Sequence, residues 1–281
     1  MTRAILLAFL IPTMAQGQAD SASRQWNRPV APFRIIDNIY YVGALGVTSF
    51  LITTSAGHIV TDGGLAETAP QILANIQKLG FKPTDVRVLL NSHAHYDHAG
   101  GLAALKKATG ARLYASAGDA ALLRSGGAGD FRFRDTLRFP PVEVDRVIQD
   151  GEVIRLGETV LTIQLTPGHT RGCTSWTTTV KSEGKDAAVL FICSTSILDY
   201  RFVKNPSYPG IAEDFDRTFK RLRSLKCDVM LSPHADFFEL QQKRALLDRG
   251  PNPFVDPALC RRYIDQQERA FRNAVARQGR S

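Results

Sequence analysis

The stretch from residue 86 to residue 101 constrains the fold of this chain more than any other. Val86–Leu90 is a continuous apolar run, which is typical of a buried strand. The next eleven residues read NSHAHYDHAGG and carry three histidines and an aspartate. A buried strand must therefore end in a loop rich in metal-ligating side chains. Such loops usually lie in a cleft, and the two glycines let neighbouring backbone approach closely.

The density of this cluster points to metal binding. The chain has six histidines, and three of them fall between residues 93 and 98. Because His93 and His95 are two residues apart, an extended loop can direct both at one ion. Asp97 and His98 follow a turn and can reach a second ion. Imidazole and carboxylate groups suit zinc.

Two more histidines follow apolar strands. His169 lies in TPGHT after the predicted strand Val160–Leu165, and His234 lies in SPH after Val229–Leu231. Each alone is equally consistent with an ordinary loop histidine, but together with the cluster they complete two sites. Three histidines and a water form a catalytic zinc site. We predict a first group and a second group of ligands: His93, His95 and His169, and Asp97, His98 and His234.

The remaining candidate residues lie on one earlier strand. His58 is inside the predicted strand His58–Thr61 with no ligand pattern near it, so we interpret it as structural. Asp62 ends that strand and is a candidate acceptor that orients a ligand histidine. An ordinary turn aspartate before two glycines explains Asp62 equally well on spacing alone.

The order of elements predicts an α/β fold. Short strands occupy residues 33–64, and helices and strands then alternate. Residues 126–145 lack periodicity and are predicted to form a long loop. An amphipathic helix is predicted over 257–277. We predict an αβ/βα sandwich of two mixed sheets flanked by helices, formed by one domain over residues 20–281.

The first 19 residues have the pattern of a signal peptide. Arg3 precedes the apolar run Ala4–Ala15, and small residues follow at Gly17 and Ala19. An uncleaved anchor and a buried helix are alternatives, although the run is too short to span a bilayer. The pattern predicts export to the periplasm or the medium.

Composition excludes some functions. The chain has 35 basic and 27 acidic residues, but the basic residues are scattered without interleaved aromatics, so we expect no nucleic-acid partner. The net charge of +8 is explained most simply by a solvated basic surface, with a mild attraction for anionic substrates as an additional consequence. At 281 residues the chain can bury a core without metal, so predicted metals serve function. We expect a monomer without a membrane span.

Four cysteines in an exported chain indicate disulfides. Cys173 and Cys193 stand at the open ends of a predicted hairpin that turns near Glu183-Gly184. Cross-strand neighbours are close enough for a bridge. Two buried thiols are the alternative. The other cysteines, Cys227 and Cys260, flank the segment that carries His234.

Together, the His-x-His-x-Asp-His motif, the later Gly-His-Thr and the strand-end histidine resemble the metallo-β-lactamase superfamily. The resemblance covers nearly the whole chain after residue 33. The sequence is similar in detail to subclass B3 at Asp62-Gly63-Gly64, at residues 167–176, at Asn205–Pro209 and at residues 227–234.

The resemblance implies two zinc ions on the ligand groups given above, with Asp97 as a catalytic residue that orients the nucleophile. It implies that Ser194 and Ser196 hold the substrate carboxylate, that Asp62 supports the ligands, and that Cys227 bonds to Cys260. It implies opening of the β-lactam ring of penicillins, cephalosporins and carbapenems by zinc-generated hydroxide. Some related lactamases use a cysteine ligand near Cys193, which would change this assignment.

Other hydrolases share the fold that this resemblance implies, including thioesterases and lactonases, and they are alternative interpretations of the chain. Many of them carry a bridging aspartate after the hairpin that ends here at Ile192. This chain has Cys193–Ser196 there, and the nearest acid, Asp199, comes later. That difference favours a lactamase, as does the export signal, since β-lactams act outside the cytoplasm. A non-catalytic zinc-binding protein is a remote alternative.

Overall fold

A computed structural model describes residues 21–280 of the chain. The predicted signal peptide, residues 1–19, lies outside the described residues. Residues 21–26 are helical. Within residues 21–280, none of the helices combines the length and the apolar character that crossing a bilayer requires.

The first sheet has seven strands arranged in chain order. The pairs from the first strand to the fourth are antiparallel, and those from the fourth to the seventh are parallel. The strands are β1 (Phe33–Ile36), β2 (Ile39–Tyr41), β3 (Phe50–Thr54), β4 (Gly57–Thr61), β5 (Val86–Leu90), β6 (Arg112–Ser116) and β7 (Arg146–Ile148).

The second sheet has five strands in the order β12-β11-β10-β9-β8. Only the β11–β12 pair within this sheet is parallel, so both sheets are mixed. The predicted turn between β10 and β11 is confirmed, with Glu183 and Gly184 in the left-handed region. The strands are β8 (Val153–Leu156), β9 (Thr159–Leu165), β10 (Thr174–Ser182), β11 (Lys185–Phe191) and β12 (Val229–Leu231).

Helices connect the strands and cover the sheets. They are α1 (Ala69–Lys78), α2 (Tyr96–Ala99), α3 (Leu102–Thr109), α4 (Ala117–Ser125), α5 (Ile211–Ser224), α6 (Leu240–Arg244) and α7 (Pro257–Gln278). Short 3₁₀ turns occur at Ala66–Thr68, Pro83–Asp85 and Ala235–Phe238.

Alternation along the central strands explains the layers, because successive side chains of a strand point to opposite faces. Ile52 and Ile59 belong to the core that the two sheets share, whereas their neighbours Leu51 and Val60 pack with α1 and α3. Both faces of the first sheet are therefore apolar and covered. The predicted sandwich of two mixed sheets flanked by helices is confirmed.

The sequence prediction missed α4, α6, β7 and β8. The helix α4 buries few apolar side chains, so its hydrophobic period is weak. Residues 126–145 contain no helix or strand, as predicted. They are nevertheless part of the packing, because Phe139, Val142 and Val144 are buried against the outer core.

Strand direction brings several loops to one edge of the sandwich. The strands β4 and β5 are parallel, so the loops after Thr61 and Leu90 leave the first sheet side by side. In the second sheet, β9, β11 and β12 run in the same direction because β10 reverses between β9 and β11. The loops after these three strands carry the other predicted site residues.

Candidate metal centre

The first ligand group joins the loop after β5 to the loop after β9. Donor atoms of His93, His95 and His169 lie within 4.8 Å of one another. All three side chains are buried. Nε2 of His93 has no hydrogen-bond partner among residues 21–280, although it is buried. A buried unpartnered nitrogen costs free energy, and a cation among these nitrogens would remove that cost.

The second ligand group lies directly beside the first. Nε2 of His98 is 3.2 Å from Nε2 of His234 and 3.3 Å from Oδ2 of Asp97. Oδ2 of Asp97 is also 3.5 Å from Nε2 of His234. The single helical turn α2 places Asp97 and His98 side by side. The ring centroids of His93 and His98 are 4.4 Å apart, so the two groups are adjacent. The structure thus brings all six predicted ligands together in the predicted groups.

The protonation states suit metal binding. Burial lowers the pKa of His95, His169 and His234 to about 3, so these imidazoles are neutral at pH 7. Burial alone would raise the pKa of Asp97, but His98 and then His234 lower it below its usual range. Neutral imidazoles and an ionised carboxylate are the forms that bind metal ions. His98 differs from the other histidines, because burial lowers its pKa but nearby carboxylates, chiefly that of the adjacent Asp97, raise it by more, so this imidazole would release a proton on binding a metal ion.

Asp62 holds the start of the first ligand loop. It is buried, and its Oδ1 accepts hydrogen bonds from Nδ2 of Asn91 at 3.0 Å and from the backbone N–H of Ser92 at 2.7 Å. Burial raises the pKa of Asp62 to about 6, partly opposed by the charge of His98. Neither hydrogen-bond partner is a histidine, so Asp62 positions the loop through Asn91 and Ser92.

Asp119 connects the two loops of the first group, and sequence reasoning missed it. Its Oδ2 accepts from the backbone of Ala94 at 2.9 Å and from the hydroxyl of Thr170 at 2.8 Å. Its Oδ1 accepts from the backbone of Gly172 at 3.0 Å. Burial raises the pKa of Asp119 to about 6. A lone aspartate at the start of an unrecognised helix gives no signal in the sequence.

The segment after β11 supports His169. The backbone carbonyl of Ser196 lies 2.8 Å from Nδ1 of His169, and the hydroxyl of Tyr200 donates to the His169 carbonyl at 2.8 Å. Ser194 is buried, and its hydroxyl accepts from the backbone N–H of Ser196. Ser196 is half-buried and is the more accessible of the two predicted serines.

Both predicted disulfides are present, Cys173–Cys193 and Cys227–Cys260. Sγ of Cys193 lies 3.7 Å from Nδ1 of His93. While that sulfur is bonded to Cys173, it offers no thiolate to a metal ion, although Cys173 and Cys193 lie close enough to His93 to form a third group of metal-ligating residues if the bond were reduced. His58 packs against Phe81 with ring centroids 5.1 Å apart, consistent with a structural role.

Aromatic rings border the ligands. Trp26 and Phe237 each lie with their ring centroid 5.2 Å from that of His234. Phe133, from the long loop, lies 4.8 Å from His95. These three half-buried rings form an apolar rim that sequence reasoning did not identify.

Comparison with solved structures gives strong similarity over most of the chain. BJP-1, a subclass B3 metallo-β-lactamase of Bradyrhizobium japonicum, is 42% identical with a TM-score of 0.87, covering 92% of this chain and 98% of that one. Native FEZ-1 metallo-β-lactamase from Legionella gormanii is 43% identical with a TM-score of 0.89, covering 91% and 99%.

Curated relatives are more distant. A hydroxyacylglutathione hydrolase of Rhodospirillum rubrum is 34% identical over 113 residues, which are 40% of this chain and 35% of that protein. The acyl-coenzyme A thioesterase MBLAC2 of Gallus gallus is 29% identical over 159 residues, 49% and 55% of the two chains. The chain thus spans about a third of the first relative and about half of the second.

A family model, that of the metallo-β-lactamase superfamily, matches residues 42–234. The matched range begins after β2 and ends on the last predicted ligand, so it contains every residue of both ligand groups. Because this match spans more than half of the sequence, the chain belongs to the metallo-β-lactamase superfamily.

Proposed function

We propose that this protein is a zinc-dependent β-lactamase that opens the ring of penicillins, cephalosporins and carbapenems. The observation that carries the proposal is the segment after β11. Cys193 is in a disulfide, Ser194 is buried, and the first acid, Asp199, is 72% exposed and paired with Arg132 at 2.6 Å. The place where related thioesterases carry a bridging aspartate therefore holds no carboxylate.

Two zinc ions are proposed, one on each ligand group. Zinc would supply Lewis acidity there and lower the pKa of water to about 7. The residues of this chain hold and orient the reactants. Asp97 is proposed to bind the second zinc ion as a carboxylate and to accept a hydrogen bond from the attacking water. No side chain needs to form a covalent bond with the substrate.

Substrate binding is assigned to residues around the ligands. Ser194 and Ser196 are proposed to hold the carboxylate that β-lactam antibiotics carry, with Ser196 the more exposed partner. The rim rings of Trp26, Phe133 and Phe237 would contact apolar parts of the substrate. The basic net charge, +8 for the whole sequence and +7 without Arg3 of the proposed signal peptide, favours the approach of an anionic substrate.

We also propose export to the periplasm or medium and a monomeric state. Two disulfides favour an oxidising compartment, since such bonds rarely persist in the cytosol. The pattern of the first 19 residues agrees with this proposal.

A panel of substrates tests the activity. The purified protein should hydrolyse a penicillin, a cephalosporin and a carbapenem, and chelation should abolish hydrolysis until zinc is returned. Clavulanate should not inhibit, because it traps a nucleophilic serine. His169→Gln should inactivate the enzyme, while His58→Gln, a matched change outside the site, should not. Absence of zinc-dependent hydrolysis across the panel would refute the proposal.

A thioester hydrolase is the second candidate. The similarity to hydroxyacylglutathione hydrolase and to an acyl-coenzyme A thioesterase favours it. The same preparation should therefore be given a hydroxyacylglutathione and an acyl-coenzyme A. Rapid turnover of either, with intact β-lactams, would support this candidate and leave the fold unchanged.

A further inference from the structure

A buried aspartate of the long loop faces the first ligand group. Asp130 is 3% exposed, and its Oδ1 accepts hydrogen bonds from the backbone N–H groups of Arg132 at 2.7 Å and Phe133 at 2.6 Å. Its Oδ2 lies 3.7 Å from Nε2 of His95. Both of these atoms are buried, and neither has a hydrogen-bond partner within residues 21–280. Two buried polar atoms therefore face each other across a short gap.

The chemistry of the two atoms is complementary. A separation of 3.7 Å is longer than a hydrogen bond, but the carboxylate still favours a proton on the nitrogen that faces it. A histidine that binds metal through one nitrogen generally presents the other N–H to a carboxylate or carbonyl. That arrangement fixes the tautomer and the ring orientation.

We propose that Asp130 is a positioning residue for His95. It favours the imidazole proton on Nε2, which would leave Nδ1 as the nitrogen free to bind the first metal ion. The inference rests on the metal-loaded state proposed above, and it is independent of which substrate the enzyme hydrolyses.

The residues next to Asp130 also contact the first ligand group. The ring of Phe133 packs on His95, and Phe131 lies 5.2 Å from Tyr200, whose hydroxyl holds the backbone of His169. The segment Asp130–Phe133, which we call the rim segment, therefore contacts His95 directly and His169 through Tyr200.

Asp130→Asn isolates this role. The amide retains an oxygen that can accept from the backbone of Arg132 and Phe133, but it replaces the oxygen facing His95 with an NH₂ donor. That donor favours the opposite tautomer. Zinc affinity, measured by competition with a chromophoric chelator, should fall about 10- to 100-fold for one of the two binding steps.

Asp199→Asn is the matched control. It removes the ion pair between Asp199 and Arg132 in the same rim segment but leaves Asp130 and His95 intact. Its zinc affinity should stay within about fivefold of the wild type, since exposed ion pairs contribute little. Equal loss in both variants would assign the effect to the loop and overturn the proposal.

The tautomer can be read without any substitution. Long-range ¹H–¹⁵N spectra of the zinc-loaded, ¹⁵N-labelled wild type should show His95 protonated at Nε2. Protonation at Nδ1, or wild-type zinc affinity in Asp130→Asn, would overturn the proposal. Neither readout uses a β-lactam, so failure of the lactamase assignment leaves the result standing. A wild-type chain that retains no zinc refutes both.

Discussion

The two ligand groups differ in what holds them. In the first group, each imidazole has a protein group behind it. The Ser92 hydroxyl is 3.1 Å from Nδ1 of His93, and the Ser196 carbonyl is 2.8 Å from Nδ1 of His169. Asp130 faces His95, and Asp119 joins the two loops.

The second group is held more by its own members. Asp97, His98 and His234 lie within 3.5 Å of one another, and buried Nδ1 of His98 has no partner in residues 21–280. The side chain of His234 is 19% exposed, whereas His93 and His95 are almost fully buried. Each imidazole of the first group therefore has a protein group behind it, whereas in the second group the backbone of Gly46 supports His234, Nδ1 of His98 has no support from the described residues, and Asp97 supplies the charge.

The largest expected effect follows from removing that charge. Asp97→Ala should empty or loosen the second zinc site and lower kcat/KM by more than about 100-fold, beyond the loss typical of residues that only support a ligand. The fold should survive, because a chain of this size does not depend on one metal for its core. Elemental analysis should fall from about two zinc ions per chain to about one.

Asp97→Asn serves as the isosteric control, because it keeps the shape of the side chain without the charge. It should lose most of the activity as well. Full activity of either variant would show that Asp97 is not a ligand. A wild-type protein with one zinc ion and full activity would contradict the two-metal assignment.

The corresponding change at the first group removes Asp119, which is not a ligand but holds the two ligand loops together. Asp119→Ala removes the acceptor of three hydrogen bonds, so the free energy of unfolding of the metal-free protein should fall by about 3 kcal/mol. Zinc affinity of the first group should fall about 10- to 100-fold. Urea unfolding and chelator competition measure the two effects.

Thr170→Val removes one of those three bonds and provides a graded control. It should lower the free energy of unfolding of the metal-free protein by about 1 kcal/mol. It should weaken zinc binding less than Asp119→Ala does. If Asp119→Ala binds zinc as tightly as the wild type, Asp119 does not hold the first ligand group in place. The proposed difference in support between the two ligand groups would then be wrong for Asp119.

The disulfides offer a matched pair. They close loops of similar length, with separations of 20 and 33 residues, so each double Cys→Ser variant should lose about 3–4 kcal/mol of stability. Only loss of Cys173–Cys193, which adjoins His93, should also lower activity and zinc affinity. Equal activities in the two variants would show that the Cys173–Cys193 disulfide does not support the metal centre.

The contrast also explains what the sequence could predict. The second group depends heavily on adjacent residues, Asp97 and His98, whose spacing is visible in the chain. The strands were predictable because their apolar runs alternate or continue, and Val86–Leu90 and Val229–Leu231 were placed to the residue.

The support of the first group was not predictable. Asp119 and Asp130 act on residues 25 and 35 or more positions away, across elements whose packing decides the contact. Neither stands in a periodic pattern, and Asp130 lies in a loop that reads as surface. Such contacts arise from tertiary packing, which spacing along one chain does not encode.

The smallest expected effect concerns the predicted substrate contacts. Replacing Ser194 and Ser196 together by Ala should raise KM about tenfold, the loss of roughly one charge-assisted hydrogen bond, and lower kcat less. The hydroxyls would hold a carboxylate remote from the bond that breaks. The backbone carbonyl of Ser196, which supports His169, is unaffected by the substitution.

The single variants sharpen this expectation. Because Ser194 is buried and bonded to the backbone of Ser196, Ser196→Ala should account for most of the rise in KM. Zinc content should be unchanged in both single variants, which separates a substrate contact from support of the first group. A collapse of kcat at constant KM would instead place these serines in the transition state and overturn their role as carboxylate anchors. Steady-state kinetics with a penicillin and with a carbapenem decide between the two outcomes.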